Sequence, residues 1–129
     1  MVKKFDFLVI GSGLAGRSFA LKVAHKGKVA LFCKAGLEEA NTYFAQGGIA
    51  SVTNLKVENF EKHFDFTMIA GDWISDRAAV EKVVREAPAQ IQELIKWGVD
   101  FDKKEEGEFD LLKEGGHSEF RILHHKYNT

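Results

Sequence analysis

The sequence predicts an α/β fold that opens with a strand–helix–strand unit of a parallel sheet and continues into helices and a short hairpin. Phe5–Ile10 is short, apolar and followed at once by glycine, and Val29–Cys33 is a second apolar segment of the same kind. Between them, apolar residues from Leu14 to about His25 suit a helix packed on a sheet, and Gly27 is a plausible stop. This order is a βαβ unit, which implies parallel strands and a right-handed crossover.

The middle of the chain predicts two further helices. Apolar residues recur at helical spacing from Val57 to Ala70, and Ser75 and Asp76 offer N-caps for the next helix. Proline removes a backbone donor and clashes with the preceding turn. We therefore expect Pro88 to break or kink this helix and to leave Pro88–Trp97 as a second piece.

Loose alternation of apolar and polar residues predicts the hairpin. It covers residues 99–112, after Gly98 ends the preceding helix, and it contains the turn sequence Glu105-Glu106-Gly107. The single cysteine, Cys33, is expected to be a buried strand residue rather than a reactive thiol.

Composition and charge exclude several classes of protein. Of the 129 residues, 18 are basic and 19 acidic, and the two signs are interspersed, so no basic stripe for nucleic acid forms. No apolar stretch approaches the roughly 20 residues of a transmembrane helix, and the N-terminus does not resemble a signal peptide. We expect a soluble, cytoplasmic protein. His124 and His125 lack the spacing of metal ligands beside an acid, so we expect no metal.

A glycine-rich loop is the first motif that carries chemistry. Its residues are Gly11, Ser12, Gly13, Leu14, Ala15 and Gly16, which match G-x-G-x-x-G after a strand and at the start of a helix. Gly11 allows the tight turn, Gly13 lets a pyrophosphate approach the backbone, and Gly16 brings helix and strand close together. The helix N-terminus offers N–H groups to phosphates. The loop predicts a dinucleotide site, and a bare structural turn is the alternative.

One expected partner of that loop is missing. The second strand of a dinucleotide-binding unit normally ends in an acid that binds the adenosine ribose. Lys34 stands there instead, and the next acids, Glu38 and Glu39, lie several residues further on. The departure either weakens the dinucleotide interpretation or indicates a subfamily.

Four motifs together resemble one family. They are the glycine loop, Lys34, the segment Asn41–Ala50 and the run Glu114-Gly115-Gly116-His117-Ser118. In this order and spacing they resemble the L-aspartate oxidases of the fumarate reductase/succinate dehydrogenase flavoprotein superfamily, in which a lysine commonly occupies the Lys34 position. The resemblance covers nearly the whole chain and implies a partial Rossmann-like FAD-binding domain.

The resemblance implies a flavin site with two parts. The cofactor-binding residues beyond the glycine loop would be Lys34, Asn41, Thr42, Tyr43, Phe44, Ala45, Gln46, Gly47 and Gly48. Many succinate dehydrogenases carry a histidine in this segment that bonds covalently to the flavin. Because Asn41 stands at the aligned position, we expect non-covalent FAD. A plain glycine-rich surface turn is the alternative, although exposed Tyr43 and Phe44 would be costly there.

Glu114 is the residue expected to face the substrate. The resemblance implies that its carboxylate orients L-aspartate, and its charge suits the substrate ammonium; a solvated loop carboxylate is the alternative. His117 is expected to bond a flavin oxygen or to satisfy a turn, and Arg121 fits a basic residue of the family. Glu119 and Phe120 replace residues that are commonly basic, which puts the local charge complementarity in question.

The implied reaction is oxidation of L-aspartate to iminoaspartate, with hydride transfer to the flavin and reoxidation by oxygen or fumarate. The product would enter quinolinate and NAD biosynthesis, with quinolinate synthase as the neighbouring enzyme. We expect residues 1–129 to be the N-terminal part of the FAD-binding domain, without the capping and C-terminal domains, and to be inactive alone. An open sheet edge then favours self-association and weak FAD retention. A fumarate reductase or succinate dehydrogenase flavoprotein and a non-catalytic flavin- or nucleotide-binding module are the alternatives.

Overall fold

A computed structural model of the chain describes residues 2–45, 47–54 and 59–125. Its elements are β1 (Phe7–Ile10), α1 (Leu14–Val23), β2 (Val29–Phe32), β3 (Ile49–Ala50), α2 (Phe60–Ala70), α3 (Arg77–Lys96) and β4 (Ile122–Leu123). They fall into two compact units, residues 1–46 and residues 47–129. The mixed α/β fold predicted from the sequence is confirmed.

The first unit is the predicted βαβ motif. β1 and β2 pair in parallel, with Phe7 opposite Val29 and Ile10 opposite Phe32, and α1 connects them. The pairing continues past the strand end, where the Gly11 N–H donates to the Phe32 carbonyl at 2.8 Å. The glycine loop and the end of β2 therefore lie at one edge of this sheet, the carboxyl edge, where open α/β sheets bind ligands.

The strands of the first unit are less buried than the sequence predicts. Val9 is 7% exposed, whereas Leu8 is 63%, Ile10 84% and Phe32 64% exposed. Side chains of a strand alternate between faces, so Leu8 and Ile10 share the face opposite to Val9. In the described part of this unit, Val9 lies on the side of Gly16 in α1. The expectation that Cys33 is buried is also wrong, because it follows β2 and is exposed.

The second unit holds a small antiparallel sheet and two helices. β3 pairs with β4, with Ile49 opposite Leu123 and Ala50 opposite Ile122. Ile91, Phe101 and Leu123 form a buried cluster. Partly buried apolar side chains pack against it, namely Leu94, Ile95, Phe109 and Leu111. This core fixes β4, and with it the segment just before β4, against α3.

The helices of the second unit begin at side-chain caps. The Asn59 side chain accepts a hydrogen bond from the Lys62 N–H at 2.8 Å, and the Asp76 side chain accepts one from the Ala79 N–H at 2.8 Å. The predicted cap at Asp76 is thereby confirmed. The predicted helical segment starting at Val57 is confirmed from Phe60 onward, and residues 55–58 lie outside the described residues.

The predicted break at Pro88 is wrong, because α3 runs unbroken from Arg77 to Lys96. Val84 and Ile91, which are 3% and 2% exposed, lie seven residues apart and so share one face across the proline. Burial of this face on both sides of Pro88 outweighs the one backbone hydrogen bond that proline removes. Gly98, at φ 98°, ends the helix as predicted.

The predicted hairpin at residues 99–112 is present as a short one. Lys103 and Phe109 form an antiparallel bridge, and the Lys104 N–H donates to the Glu108 carbonyl at 2.8 Å. Gly107 occupies the turn at φ 85°. Across the described ranges, no helix has the length and apolar character needed to cross a membrane.

Candidate functional site

The glycine loop of the first unit packs α1 tightly on β1. A Cβ atom on Gly16 would lie 2.0 Å from the Gly11 carbonyl oxygen and 3.4 Å from Val9 Cγ1. No side chain fits there, so Gly16 is required for the close approach of helix and strand. Gly11 has a φ of 106°, a conformation that glycine adopts at little cost. Both glycines therefore have the roles that the sequence motif predicts.

The N-terminus of α1 is suited to an anion. Its N-cap, Gly13, provides no side-chain hydrogen bond, and the first turn contains no acidic residue. The partial positive charge of the helix, and the first-turn N–H groups other than that of Leu14, are therefore available for phosphate oxygens. Ser12 is buried, and Leu14 and Ala15 are exposed at the start of the helix.

Thr42 joins the second sequence motif to the glycine loop. Its Oγ1 accepts a hydrogen bond of 3.1 Å from the Leu14 N–H. A Cβ atom on Gly13 would lie 3.4 Å from the same oxygen. Two motifs separated along the chain thus meet at the start of α1, as a common binding site requires.

A cavity of about 260 Å³ lies beside this contact. Its lining is formed by Ser12, Leu14, Arg17, Ala40, Thr42 and Tyr43. Arg17 was not among the predicted site residues. Its Nε donates to the Ser12 carbonyl at 2.7 Å, and its Nη2 donates to the Leu37 carbonyl, so it holds the loop after β2 beside the glycine loop. A basic residue directly after G-x-G-x-x-G is the sequence signal that could have indicated it.

The remaining predicted residues of the first unit are exposed. Lys34 lies two residues after β2, at the same sheet edge as the glycine loop. Asn41 and Ala45 are exposed around a turn that the Tyr43 N–H closes on the Ala40 carbonyl at 2.9 Å.

The aromatic pair of this loop is also exposed. Tyr43 is 61% and Phe44 is 67% exposed, and their rings meet edge to face at 5.3 Å. Such exposure is costly in a plain surface turn. Gln46 lies outside the described residues.

In the second unit, the glycine pair before β3 lies close to Glu114 and β4. A Cβ atom on Gly47 would be 3.9 Å from Glu114 Oε1, and Gly47 has a φ of 115°. A Cβ atom on Gly48 would lie 2.3 Å from both Ile122 Cγ2 and the Leu123 carbonyl oxygen. Gly48 is therefore required for packing on β4, and the Glu114 carboxylate lies near the backbone of Gly47.

The segment that carries Glu114 makes a turn before it enters β4. The His117 N–H donates to the Glu114 carbonyl at 3.2 Å, and Gly116 has a φ of 85°. Arg121 is 0% exposed, and its Nη2 donates to Ser118 Oγ at 3.4 Å. Its guanidinium lies 5.9 Å from the centre of the Phe66 ring. Arg121 is thus a buried cation beside the predicted substrate residues rather than a surface one.

His63 on α2 is a further residue of this region, and its side chain is packed in the interior of the second unit. It is 6% exposed, and its ring centre lies 6.3 Å from that of His117. Burial lowers the pKa of His63 to about 4, and the charges of Arg121 and His117 act in the same direction. Burial and then Arg121 lower the pKa of His117, while Glu114 opposes them. Nothing local in the sequence connects His63 to His117.

The histidines at the end of β4 do have an acid nearby. His124 Nδ1 lies 3.2 Å and His125 Nδ1 3.6 Å from the carboxylate of Asp102. The Asp102 N–H also donates to the His124 carbonyl, so the fold brings this acid to the two histidines. Within residues 2–45, 47–54 and 59–125, no three His, Cys, Asp or Glu side chains are grouped as metal ligands.

Comparison with known proteins identifies the family. The sequence profile of a family described as an FAD binding domain matches residues 6–129. The chain belongs to this FAD-binding family. FAD is therefore its cofactor, and the chain is an FAD-binding flavoprotein domain of oxidoreductase type.

Named relatives of this flavoprotein domain are L-aspartate oxidases. It is 44% identical over 96% of its length to L-aspartate oxidase 2-b, chloroplastic, of Nicotiana tabacum, and it covers 19% of that protein. It is 46% identical over 92% of its length to the L-aspartate oxidase of Vibrio cholerae and covers 23% of that protein. The chain thus spans about a fifth of the length of these relatives.

Solved structures extend the relation to a second group of flavoproteins. The Mycobacterium smegmatis Sdh1 complex superposes with a TM-score of 0.84 at 30% identity, over 93% of this chain and 21% of that one. A mutant of E. coli quinol fumarate reductase FrdA gives a TM-score of 0.83 at 29% identity, over 92% of this chain and 21% of that one. The flavoprotein domain is related to both groups.

The residues of the first unit suit the binding of FAD. A pyrophosphate-binding turn needs a helix start without acidic side chains, a tight turn such as Gly11 makes at positive φ, and a close helix–strand contact such as that at Gly16. The cavity beside Thr42 adjoins that turn. The dinucleotide interpretation is therefore preferred over a bare structural turn.

Proposed function

We propose that this flavoprotein domain is the first part of an L-aspartate oxidase, which binds FAD non-covalently and oxidises L-aspartate to iminoaspartate. The observation that carries the proposal is the Glu114 carboxylate beside the Gly47 backbone, in a chain 46% identical to an L-aspartate oxidase. A carboxylate there suits the ammonium of an amino acid, which a plain dicarboxylate substrate lacks.

Residues of the first unit hold the phosphates and the adenosine side of FAD. The proposed ligands around the glycine loop are Gly11, Ser12, Gly13, Leu14, Ala15 and Gly16, with Lys34 at the same sheet edge. The N–H groups at the start of α1 supply donors and partial positive charge. Thr42 and Arg17 position the neighbouring loops through their bonds to Leu14, Ser12 and Leu37.

The segment from Asn41 to Gly48 serves the flavin ring. Asn41, Thr42 and Gln46 offer polar side chains, and Tyr43, Phe44 and Ala45 offer apolar surface. Gly47 and Gly48 expose backbone N–H groups without a Cβ atom in the way. Asn41 cannot form the covalent flavin bond that a histidine there would allow, so the proposed FAD is released intact when the protein is denatured.

Glu114 binds and orients the substrate. Its carboxylate holds the ammonium of L-aspartate, so that the Cα–H bond faces the acceptor, and His117 and Arg121 lie on the substrate side. When bound, FAD supplies the redox chemistry by accepting the Cα hydrogen as a hydride. The substrate nitrogen loses a proton as the C=N bond forms, and oxygen or fumarate would be the final oxidant. The domain contributes orientation and electrostatics.

The proposed product fixes the metabolic setting. Iminoaspartate is the precursor that quinolinate synthase uses on the way to NAD, so we place the domain in that pathway. The 129 residues correspond to about a fifth of the relatives' length. We therefore propose that these residues alone bind FAD weakly and do not turn over L-aspartate.

A chimera tests the proposed reaction. Residues 1–125 replace the aligned segment of the Vibrio cholerae L-aspartate oxidase, and hydrogen peroxide formation is followed with L-aspartate or succinate as substrate. We expect L-aspartate-dependent peroxide from the chimera and none from the 129-residue chain. Turnover by the 129-residue chain alone, or a chimera that folds, binds FAD and ignores L-aspartate, would contradict the proposal.

Oxidation of succinate or reduction of fumarate is the second candidate. The superposition on Sdh1 at a TM-score of 0.84 favours it. The same chimera discriminates the two, because a dicarboxylate gains nothing from the Glu114 charge. A preference for succinate over L-aspartate would favour this second candidate.

A further inference from the structure

The second unit contains buried polar atoms that lack a hydrogen-bond partner among the described residues. Three of them are Ser51 Oγ, His63 Nδ1 and His117 Nδ1. Ser51 is 0% and His63 is 6% exposed, and in the half-buried His117 the Nδ1 atom itself is buried, so bulk solvent does not reach the three atoms. Buried polar groups are nearly always hydrogen-bonded, and an exception calls for a bound water, ion or ligand group.

The three atoms belong to residues that adjoin Arg121. The Ser51 N–H donates to the Arg121 carbonyl at 2.9 Å. The charge of Arg121 acts on the imidazoles of both His63 and His117. These residues come from the loop that leads into β4, from α2 and from the segment just after β3, so the fold brings them together around one cation.

One of these residues, His63, borders a cavity. The His63 ring lines a cavity of about 320 Å³ together with Ala50 and Thr67, and α3 closes its other side. The remaining lining is Ala79, Val80, Val83, Val84 and Ala87. Because Thr67 donates its hydroxyl to the His63 carbonyl at 2.8 Å, the polar group of this cavity that still needs a partner is the imidazole.

The charges and donors around these atoms indicate which kind of ligand group they bind. A neutral imidazole with a proton on Nδ1 donates one hydrogen bond from that atom, and a serine hydroxyl donates one as well. The nearby Arg121 cation repels an ammonium group and attracts an anion. A carboxylate oxygen, with several acceptor sites, satisfies donors of this kind at once.

We propose that Ser51, His63 and His117 form a subsite, beside the buried Arg121, for an anionic oxygen of the ligand. The subsite rests on the proposed function, since it assigns residues to one part of the same reaction. Glu114 would take the cationic group of the substrate, and these three residues would take an anionic one. The oxygen belongs either to a substrate carboxylate or to the pyrimidine end of the flavin, which becomes anionic on reduction.

NMR of the histidine rings in the 129-residue chain tests the subsite. Succinate, its neutral analogue succinamide and FAD are titrated separately into protein labelled in its histidines. We expect succinate to shift the His63 and His117 signals saturably in the millimolar range, and succinamide to leave them in place. No saturable shift with succinate or FAD, or equal shifts with succinamide, would overturn the proposal.

The titration with FAD distinguishes the two sources of the anionic oxygen. If reduced FAD shifts the same histidine signals and displaces succinate, the subsite binds the cofactor. Succinate that shifts these signals while FAD is bound assigns it to the substrate. Flavin fluorescence measures FAD binding at the glycine loop separately. Absence of that binding would contradict the proposed function, whereas the succinate shifts would remain.

Two variants and a control test the residues. His63→Leu is expected to weaken succinate binding by about tenfold or more, as loss of a bond to a charged group does. Ser51→Ala, a smaller change, is expected to weaken it several-fold and serves if His63→Leu does not fold. His25→Leu alters an exposed histidine of the first unit and is expected to change nothing. Unchanged affinity in a folded Ser51→Ala and His63→Leu would overturn the assignment.

Discussion

Thr42 Oγ1 accepts a 3.1 Å hydrogen bond from the Leu14 N–H. This contact joins the loop after β2 to the first turn of α1, at the point where the glycine loop ends. It gives a physical reason for the presence of both motifs in one unit. A residue without a hydroxyl at position 42 would leave the donor at the start of α1 to water.

Thr42→Val tests this contact, because valine keeps the shape and removes the acceptor. We expect the free energy of unfolding to fall by about 0.5–1.5 kcal/mol, the net value of one hydrogen bond. Urea denaturation followed by circular dichroism measures it. Thr53→Val, in the second unit, is the matched control, and an equal or larger loss in the control would contradict the role of Thr42.

His63 provides a pH dependence of stability. The pKa of His63 is about 4 in the folded chain and 6.5 in the absence of structure, because burial, Arg121 and His117 all oppose its charge. As the pH falls below about 6.5, the unfolded state takes up a proton first, so stability is lost progressively until about pH 4.

Urea unfolding at about pH 7.5 and pH 5 measures this effect. The native chain is expected to lose about 2 kcal/mol more than His63→Gln between these pH values. His25→Gln is the control and should behave as the native chain does. Equal pH dependence of the native chain and His63→Gln would show that the imidazole of His63 is not buried in a neutral form.

Glu114→Gln tests the substrate role in the chimera. Loss of the carboxylate is expected to raise KM for L-aspartate by about tenfold or more, because one charge-assisted bond is lost. Succinate binding should change little. Steady-state kinetics with both substrates measures the ratio, and Glu105→Gln, in the exposed hairpin turn, is the control. A kcat/KM for L-aspartate that Glu114→Gln leaves unchanged would contradict the assignment.

The exposed face of β1 and β2 is expected to cause self-association. Leu8, Ile10 and Phe32 are each more than half exposed, and a contiguous apolar patch of this kind is typical of an interface. Sedimentation velocity should detect dimers or larger species of the 129-residue chain. Leu8→Lys should shift them toward monomer, whereas Leu21→Lys, an exposed site on α1, should not. A monodisperse native monomer would contradict the expectation.

The parts of the fold and site that the sequence predicts are those that depend on residues close together in the chain. The βαβ unit, the glycine loop and the Asp76 cap each depend on neighbouring residues, so spacing alone indicates them. Arg17 lies directly after the glycine loop and could have been included on the same ground.

The missing features depend on contacts between distant segments. β3 and β4 pair residues 49–50 with residues 122–123, and this pairing buries Arg121 beside His63. No sequence pattern within α2 indicates that His63 lies beside Arg121. The unbroken α3 has the same kind of cause, because the buried face on both sides of Pro88 belongs to tertiary packing rather than to local propensity.

Binding of FAD at the glycine loop is the central claim, and a titration of flavin fluorescence tests it most directly. The native 129-residue chain should quench FAD fluorescence saturably, with ADP as a competitor, and acid denaturation should release all of the flavin. Gly16→Ala should abolish this binding, because its Cβ would lie 2.0 Å from the Gly11 carbonyl oxygen, whereas Gly36→Ala, with open space around it, should retain it. Absence of saturable binding by the native chain, or equal affinity of Gly16→Ala and Gly36→Ala, would contradict the account.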